Sequence, residues 1–341
     1  MDRVSVLIAS YRNVDLLRRC IDTLAACCRD CLPEIVVVDD AAGDPPTAEF
    51  IESRAELGIK FAVMPANGGF AGANNFGYKF CTREFVVLVN SDIEFNDNPF
   101  PALVDFMDTH PEAGIAQGTV VIRNEDKYID GTLNGCGAFL TGLGTMVTPE
   151  WLKPADDSAA RLPRRCFAVC GAFLMLRRSV VQSTGRLFYD FFHSYYEETD
   201  LCHRAWLAGW EVWYVPAPVV YHCSGATTWK SVSKEVILRR FYRNMRFSFR
   251  TCLGFRGFFT ILPVFELCCL AQSIVQLLKG KGLAWRAHRW ARREIRGMKA
   301  EIREARRFIQ GHRVMNDTAL FKVILRRYDW RQLMSLARQN A

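Results

Sequence analysis

An α/β fold with a mixed, Rossmann-like sheet is the class this chain predicts. Short runs of β-branched and aliphatic residues alternate with longer stretches at helical spacing. Three of the four strand-like runs in the first 92 residues stop in side chains with ligand chemistry, and in open α/β sheets the crevice at the strands' carboxyl ends is where ligands bind. After residue 225 the pattern changes to long basic helices, which sets a C-terminal region, 226–341, apart from an α/β region, 1–225.

Taken in order, Val4 to Ala9 is a buried-strand pattern, and Val14 to Ala26 follows with Val14, Leu16, Leu17, Ile21 and Leu24 on one helical face. The turn between them is Ser10-Tyr11-Arg12-Asn13 and has no glycine, which argues against a dinucleotide-binding GxGxxG turn. Ile35 to Val38 is the second strand and ends in Asp39-Asp40. A carboxylate there can accept from a base N–H or a ribose hydroxyl, while Tyr11 beside the end of the first strand, at Ala9, can stack on a base. Simple turn chemistry would use the same aspartates. Lys60 to Met64 is the third strand, followed by Asn67-Gly68-Gly69-Phe70-Ala71-Gly72-Ala73-Asn74-Asn75. Its glycines allow close approach of backbone to ligand, the helix start offers N–H groups to phosphate, and Asn67, Asn74 and Asn75 suit sugar hydroxyls as well as turns. The fourth run, Phe85 to Val89, is apolar throughout, as a strand buried on both faces requires, and stops in Asn90-Ser91-Asp92. Two oxygen-bearing side chains two residues apart suit a hard divalent cation that holds a phosphate.

Half of the 341 residues are hydrophobic, ample for a sizeable core, and the net charge of +8 conceals an asymmetry. Residues 1–225 carry 19 Lys/Arg against 29 Asp/Glu, and residues 226–341 carry 25 against 7. A basic, aromatic-rich tail on an acidic front half points to an anionic partner for the tail. No helix-turn-helix, zinc or RNA-sheet motif accompanies the charge, so a membrane surface is expected rather than nucleic acid. Thirteen scattered cysteines, several inside apolar runs, read as reduced thiols in a cytoplasmic protein, and the N-terminus enters a strand with no secretory signal in view.

Residues 123–165 read as irregular loops around a donor or acceptor sugar. Ala168 to Leu176 reads as a strand with Gly171 at a close backbone approach. From Glu198 a helix is expected, with Glu197, Glu198 and Asp200 near its start, where acids also complement the helix dipole. Trp213 to Val215 and Val219 to Tyr221 read as two short strands split by Pro216 and Pro218, with His222 after them.

The order of these motifs resembles glycosyltransferase family 2, the inverting nucleotide-sugar enzymes of GT-A fold, over roughly residues 3–225, and within it the bacterial rhamnosyltransferase-like branch. VSVLIASYRN is similar to the family's first strand and turn, EIVVVDDAAGD to its nucleoside strand, NGGFAGANNFG to the branch's Asn-Gly segment and VLVNSD to the place of its D-x-D. The resemblance implies Asp92, His222 and, in place of the first acid, Asn90 as the shell for Mn²⁺ or Mg²⁺. It also implies Glu198 as catalytic base with Glu197 in support, in place of the usual Glu-Asp pair. Ala9, Tyr11, Asp39, Asp40, Asn67, Gly68, Asn74, Asn75 and Ser91 fall on the nucleotide and donor side, and Asp200 and Gly171 on the acceptor side. The implied reaction moves a sugar, first rhamnose from dTDP-rhamnose and second galactofuranose or another sugar from UDP, to a lipid-linked or cell-surface glycan. A non-catalytic nucleotide-sugar-binding protein is the alternative, and an oligomer is left open.

In the tail, Gly257 to Leu278 is almost continuously apolar but holds Pro263 and Glu266. That favours helices lying in a membrane interface over a span, on the inner face of the cell membrane. Trp285 to Arg307 reads as one basic helix.

Overall fold

The structure, a computed structural model, describes residues 2–41, 43–123, 131–223 and 232–326. The junction at 225/226 and the Gly-Ala that follows His222 lie outside these.

β1 (Val4–Ser10), β2 (Glu34–Asp39), β3 (Lys60–Val63) and β4 (Phe85–Asn90) run parallel, joined by α1 (Val14–Cys27), α2 (Pro45–Glu52) and α3 (Gly69–Tyr78). β5 (Ile93–Phe95), α4 (Phe100–Thr109) and β6 (Ala113–Ile122) follow. Short strands come next: β7 (Thr132–Leu133), β8 (Phe139–Thr141), β9 (Met146–Val147) and β10 (Arg164–Arg165). β11 (Phe173–Arg177), α5 (Arg178–Thr184), α6 (Glu197–Leu207) and β12 (Glu211–His222) complete the sheet region. The main order is β10-β12-β6-β11-β4-β1-β2-β3, and β11 lies antiparallel to both β4 and β6, which makes the sheet mixed.

Residues of β4 alternate across the sheet, as the pleat demands. Val86 and Leu88 face α3, α6 and the C-terminal helices, while Phe85, Val87 and Val89 face α1 and α4. Gly77 is required on the first side, because a Cβ there would lie 2.3 Å from Leu7 Cδ1 and hold α3 off the sheet. The register sets Ala9 beside both Val38 and Asn90, so the carboxyl ends of β1, β2 and β4 converge at one edge.

Three strand expectations are corrected. Ala168 to Ala172 lies outside β11, which starts at Phe173. The two short strands around Pro216 and Pro218 are one, β12, whose register against β6 shifts between Tyr214 and Val219. The prolines are absorbed by that irregularity rather than ending the strand. Residues 131–165, expected as irregular loops, include β7 to β10.

Beyond residue 231 come α7 (Lys234–Cys252), α8 (Phe255–Leu278), α9 (Leu283–Gly297), α10 (Lys299–Gly311) and α11 (Asp317–Ile324). The single basic helix expected over 285–307 is two, α9 and α10, parted at Met298. β13 (Leu325–Arg326) pairs with β8. Phe247, Phe249, Phe265, Ile309 and Ile324 belong to the same buried cluster as Leu88, Leu174 and Trp206, so the basic helices and the sheet share a core.

Candidate active site

A cavity of about 310 Å³ opens where β1, β2 and β4 end. Ala9, Tyr11, Asp40, Asn67, Asn90, Ser91 and Asp92 line it, seven of the residues expected on the donor and metal sides. Asp40 is mostly buried, and burial raises its pKa to about 6 against the opposing pull of the Gly68 and Gly69 N–H groups. Gly68 N donates to Asp40 Oδ1 at 2.7 Å, and Ala71 N donates to the carbonyl of His193 at 3.0 Å. These N–H groups at the start of α3, expected to face phosphate, are therefore already used inside the protein. Gly69 must be glycine, since its φ is +66° and a Cβ would sit 2.0 Å from His193 Nδ1.

Four expected donor-side residues do not line this cavity. Asp39 accepts from the backbone N–H groups of Ala41, Gly43 and Asp44 at 2.7–3.0 Å and so shapes the loop after β2. Gly68 serves Asp40. Asn74 is buried with its amide on the Phe70 carbonyl at 2.8 Å. Asn75 clamps Phe188 through both N–H and carbonyl and reaches Asp190 Oδ1 at 2.6 Å.

His222 Nε2 lies 3.1 Å from Asp92 Oδ1, and its Nδ1 lies 3.2 Å from Asn134 Nδ2. Adjacent donors of an octahedral ion at ~2.1 Å bond lengths are about 3 Å apart, so this carboxylate and imidazole fit a shared divalent cation. Among the described residues no group of three His, Cys, Asp or Glu side chains converges, so further donors must come from Asn90, water or a ligand.

A second cavity, of about 430 Å³, is lined by Gln117, Asn134, Trp151, Cys170, Glu198 and their neighbours. Glu198 opens onto it from the first turn of α6, after a Tyr195-Tyr196 pair at φ +72° and +78°. Burial pushes the Glu198 carboxyl up to about 7. Glu197 points inward, with one carboxylate oxygen buried and unpartnered, and burial beside Glu198 lifts its pKa well above the carboxylate range. Two neighbouring carboxyls raised in this way favour Glu197 neutral and Glu198 as the one that ionises near neutrality. Gly171 lies beside a lining residue of each cavity: a Cβ there would meet Phe70, of the first, at 3.5 Å and Glu198, of the second, at 3.6 Å.

The expectation that Asp200 faces an acceptor is not met. Its Oδ2 accepts from Arg204 Nε at 2.8 Å, with both side chains 1% exposed, and Arg204 also donates to the carbonyls of Arg186 and Leu187 at 2.7 Å. Asp200→Ala leaves that guanidinium buried without its counter-charge, an expected loss of about 3–5 kcal/mol, read as a lower urea midpoint.

Several lining residues are not legible as site residues in the sequence. His193, Ser194 and Arg240 border the first cavity, and Arg240 Nη1 lies 3.1 Å from Ser194 Oγ. The loop that carries them into α6 is held from α7, where Asn244 Nδ2 reaches the carbonyls of Phe192, Ser194 and Tyr195 at 2.6–3.3 Å and Arg243 holds those of Phe191 and Phe192. The interleaved arginines of the tail were the only signal, and their pattern alone does not tell a cavity-facing arginine from a solvated one.

A mixed sheet with α/β crossovers and a cavity at its strand ends is the architecture of the GT-A glycosyltransferases. Residues 5–185 match the model of glycosyl transferase family 2, and the chain belongs to that family. It is similar to the low-salt glycan biosynthesis hexosyltransferase Agl10 of Haloferax volcanii, 25% identical over 215 residues, 60% of this chain and 62% of that protein. It is also similar to the N-acetylglucosaminyl-diphospho-decaprenol L-rhamnosyltransferase of Mycobacterium tuberculosis, 27% identical over 193 residues, 54% of this chain and 61% of that protein. The chain thus spans about three-fifths of the length of these relatives. Among solved structures, GalNAc-T7 with UDP, GalNAc and Mn²⁺ superposes with a TM-score of 0.62 at 15% identity, over 88% of this chain and 58% of that one.

Proposed function

We propose that the protein is a metal-dependent inverting glycosyltransferase that moves a sugar from a nucleoside diphosphate to a hydroxyl of a lipid-linked or cell-surface glycan. One observation carries this reading: a carboxyl that ionises near pH 7 faces one cavity, Asp92, 3.1 Å from His222, lines the next, and Gly171 lies against Phe70 of one and Glu198 of the other.

In this reading the nucleotide and sugar occupy the cavity of Tyr11, Asp40 and Asn67. Tyr11 stacks on the base, and Asp40 accepts from base or ribose. Asp92, His222 and Asn90 hold Mn²⁺ or Mg²⁺, which supplies charge neutralisation to the departing diphosphate. Asn90 contributes an oxygen without a charge, which lowers metal affinity relative to two acids. Arg240, a cation in that cavity's wall, faces the same diphosphate, so Arg240→Gln is expected to raise the donor KM about tenfold, with little change in the acceptor's KM. The acceptor lies in the second cavity, where Glu198 takes its hydroxyl proton as the oxygen attacks the anomeric carbon opposite the leaving group. A single displacement inverts the centre.

dTDP-rhamnose is the first donor in this proposal, supported by the likeness to a rhamnosyltransferase, and a UDP-sugar the second. The enzyme works in the cytoplasm at the inner face of the cell membrane, attached through its basic C-terminal helices. The test is nucleoside-diphosphate release against pH with membrane acceptors. A general base must be ionised, so the rate is expected to rise through pH ~7 and level off above it. A rate independent of pH between 5.5 and 8.5, a window about 1.5 units either side of that pKa, contradicts Glu198 as base.

A further inference from the structure

α8 carries an apolar stripe on its outer side: Phe255, Phe259, Leu267, Leu270, Ile274 and Leu278 are exposed, the two ends by more than 80%. It is the helix, among those described, that is long and apolar enough by length and composition to cross a membrane, with a mean hydropathy of 1.9. The charge that weighed against lipid contact, Glu266, is turned inward onto Arg246 at 2.9 Å and Arg250 at 3.2 Å. Arg250 also borders a separate cleft of about 450 Å³ between α7, α9 and α10, together with Arg292, Arg296, Lys299 and Arg303 over a floor of Ile295 and Ile302. No acidic side chain lines this cleft, and among the described residues the last four of these cations form no ion pair. Five cations, of which Arg250 alone has a carboxylate partner among the described residues, repel one another and are relieved by an oxyanion.

We propose that this cleft is a phosphate site for the headgroup of an anionic phospholipid, and that it acts together with the α8 stripe, which enters the interfacial layer beside it. The inference rests on the membrane-attached reading above and adds to it a defined lipid-phosphate pocket. Shared placement is the argument for lipid rather than free phosphate. Arg250 borders the cleft and pairs with Glu266 of α8, so the cleft lies against the helix that carries the apolar stripe, and one lipid can offer a phosphate to the first and acyl chains to the second.

The test uses the full chain in vesicle co-sedimentation, with neutral phosphatidylcholine vesicles and with vesicles that also contain phosphatidylglycerol. Wild type is expected to bind the anionic vesicles more tightly, and increasingly so as salt is lowered. R292Q/R296Q/R303Q is expected to lose about a hundredfold of binding to anionic vesicles while keeping its weak binding to neutral ones. L267E/I274E is expected to lose both, with circular dichroism and thermal midpoint as checks that each variant is folded. If the triple variant keeps its preference for anionic vesicles, the pocket is overturned while membrane attachment stands. If wild type binds neither vesicle, the attachment falls and the pocket with it. If wild type ignores vesicles but inorganic phosphate raises its midpoint and not the triple variant's, the cleft is a free-anion site and the lipid assignment is overturned. A dimer in solution that L267E/I274E dissociates assigns the stripe to a second copy and likewise overturns it.

Discussion

Glu198→Gln is expected to lower sugar transfer by about 10²–10⁴-fold while leaving donor affinity and thermal stability near those of wild type. The change is isosteric and removes only the capacity to take a proton. Because Glu198 opens onto the second cavity and not onto the cavity of Tyr11 and Asp92, donor binding has no reason to change. Glu197 cannot substitute for it, since it lines neither cavity. The check is kcat for transfer together with the donor dissociation constant. Unchanged transfer would return the chain to the non-catalytic alternative.

Asp92→Ala is expected to abolish metal-supported donor binding and to reduce transfer by about 10³-fold or more, the scale set by removing a principal electrostatic group from a leaving-group site. Asp92 is the carboxylate at the end of β4, 3.1 Å from His222, and Asn90 beside it brings no charge to replace it. His222→Ala is expected to act in the same direction but less severely, because imidazole contributes a neutral donor. Titration of Mn²⁺ against a donor-induced midpoint shift separates the two. Asp92→Ala should show no metal-dependent shift at any concentration reached, and His222→Ala a shift displaced to higher metal.

Much of the fold is legible in the sequence because the strands that build the crevice are short apolar runs with polar ends. Phe85 to Val89 can be nothing else at its length, and its termination at Asn90-Ser91-Asp92 marks the crevice. The Asn-Gly segment is less transparent. Asn67 borders the cavity, whereas Asn74 and Asn75 spend their amides on backbone carbonyls, and composition cannot distinguish an amide that meets a sugar from one that braces a loop. The acidic cluster shows the same limit. Glu197, Glu198 and Asp200 lie within four positions, yet helical geometry turns one to the cavity, one inward and one onto Arg204. Arg240 and Asn244 were hidden for another reason. Their partners, Ser194 and the carbonyls of Phe192 to Tyr195, are some fifty residues away in sequence and meet them only through tertiary packing.

The most direct measurement is a thermal-shift panel of dTDP-rhamnose, UDP-galactofuranose, UDP-glucose and GDP-mannose, each with and without Mn²⁺, on wild type and on Asp92→Ala. A ligand that binds only the folded protein raises the midpoint in step with the logarithm of its concentration over Kd. The account predicts one donor that shifts wild type only when Mn²⁺ is present and fails to shift Asp92→Ala. A shift of equal size without metal, or in the variant, would contradict the Asp92–His222 centre, and no shift with any donor would contradict the nucleotide-sugar cavity itself.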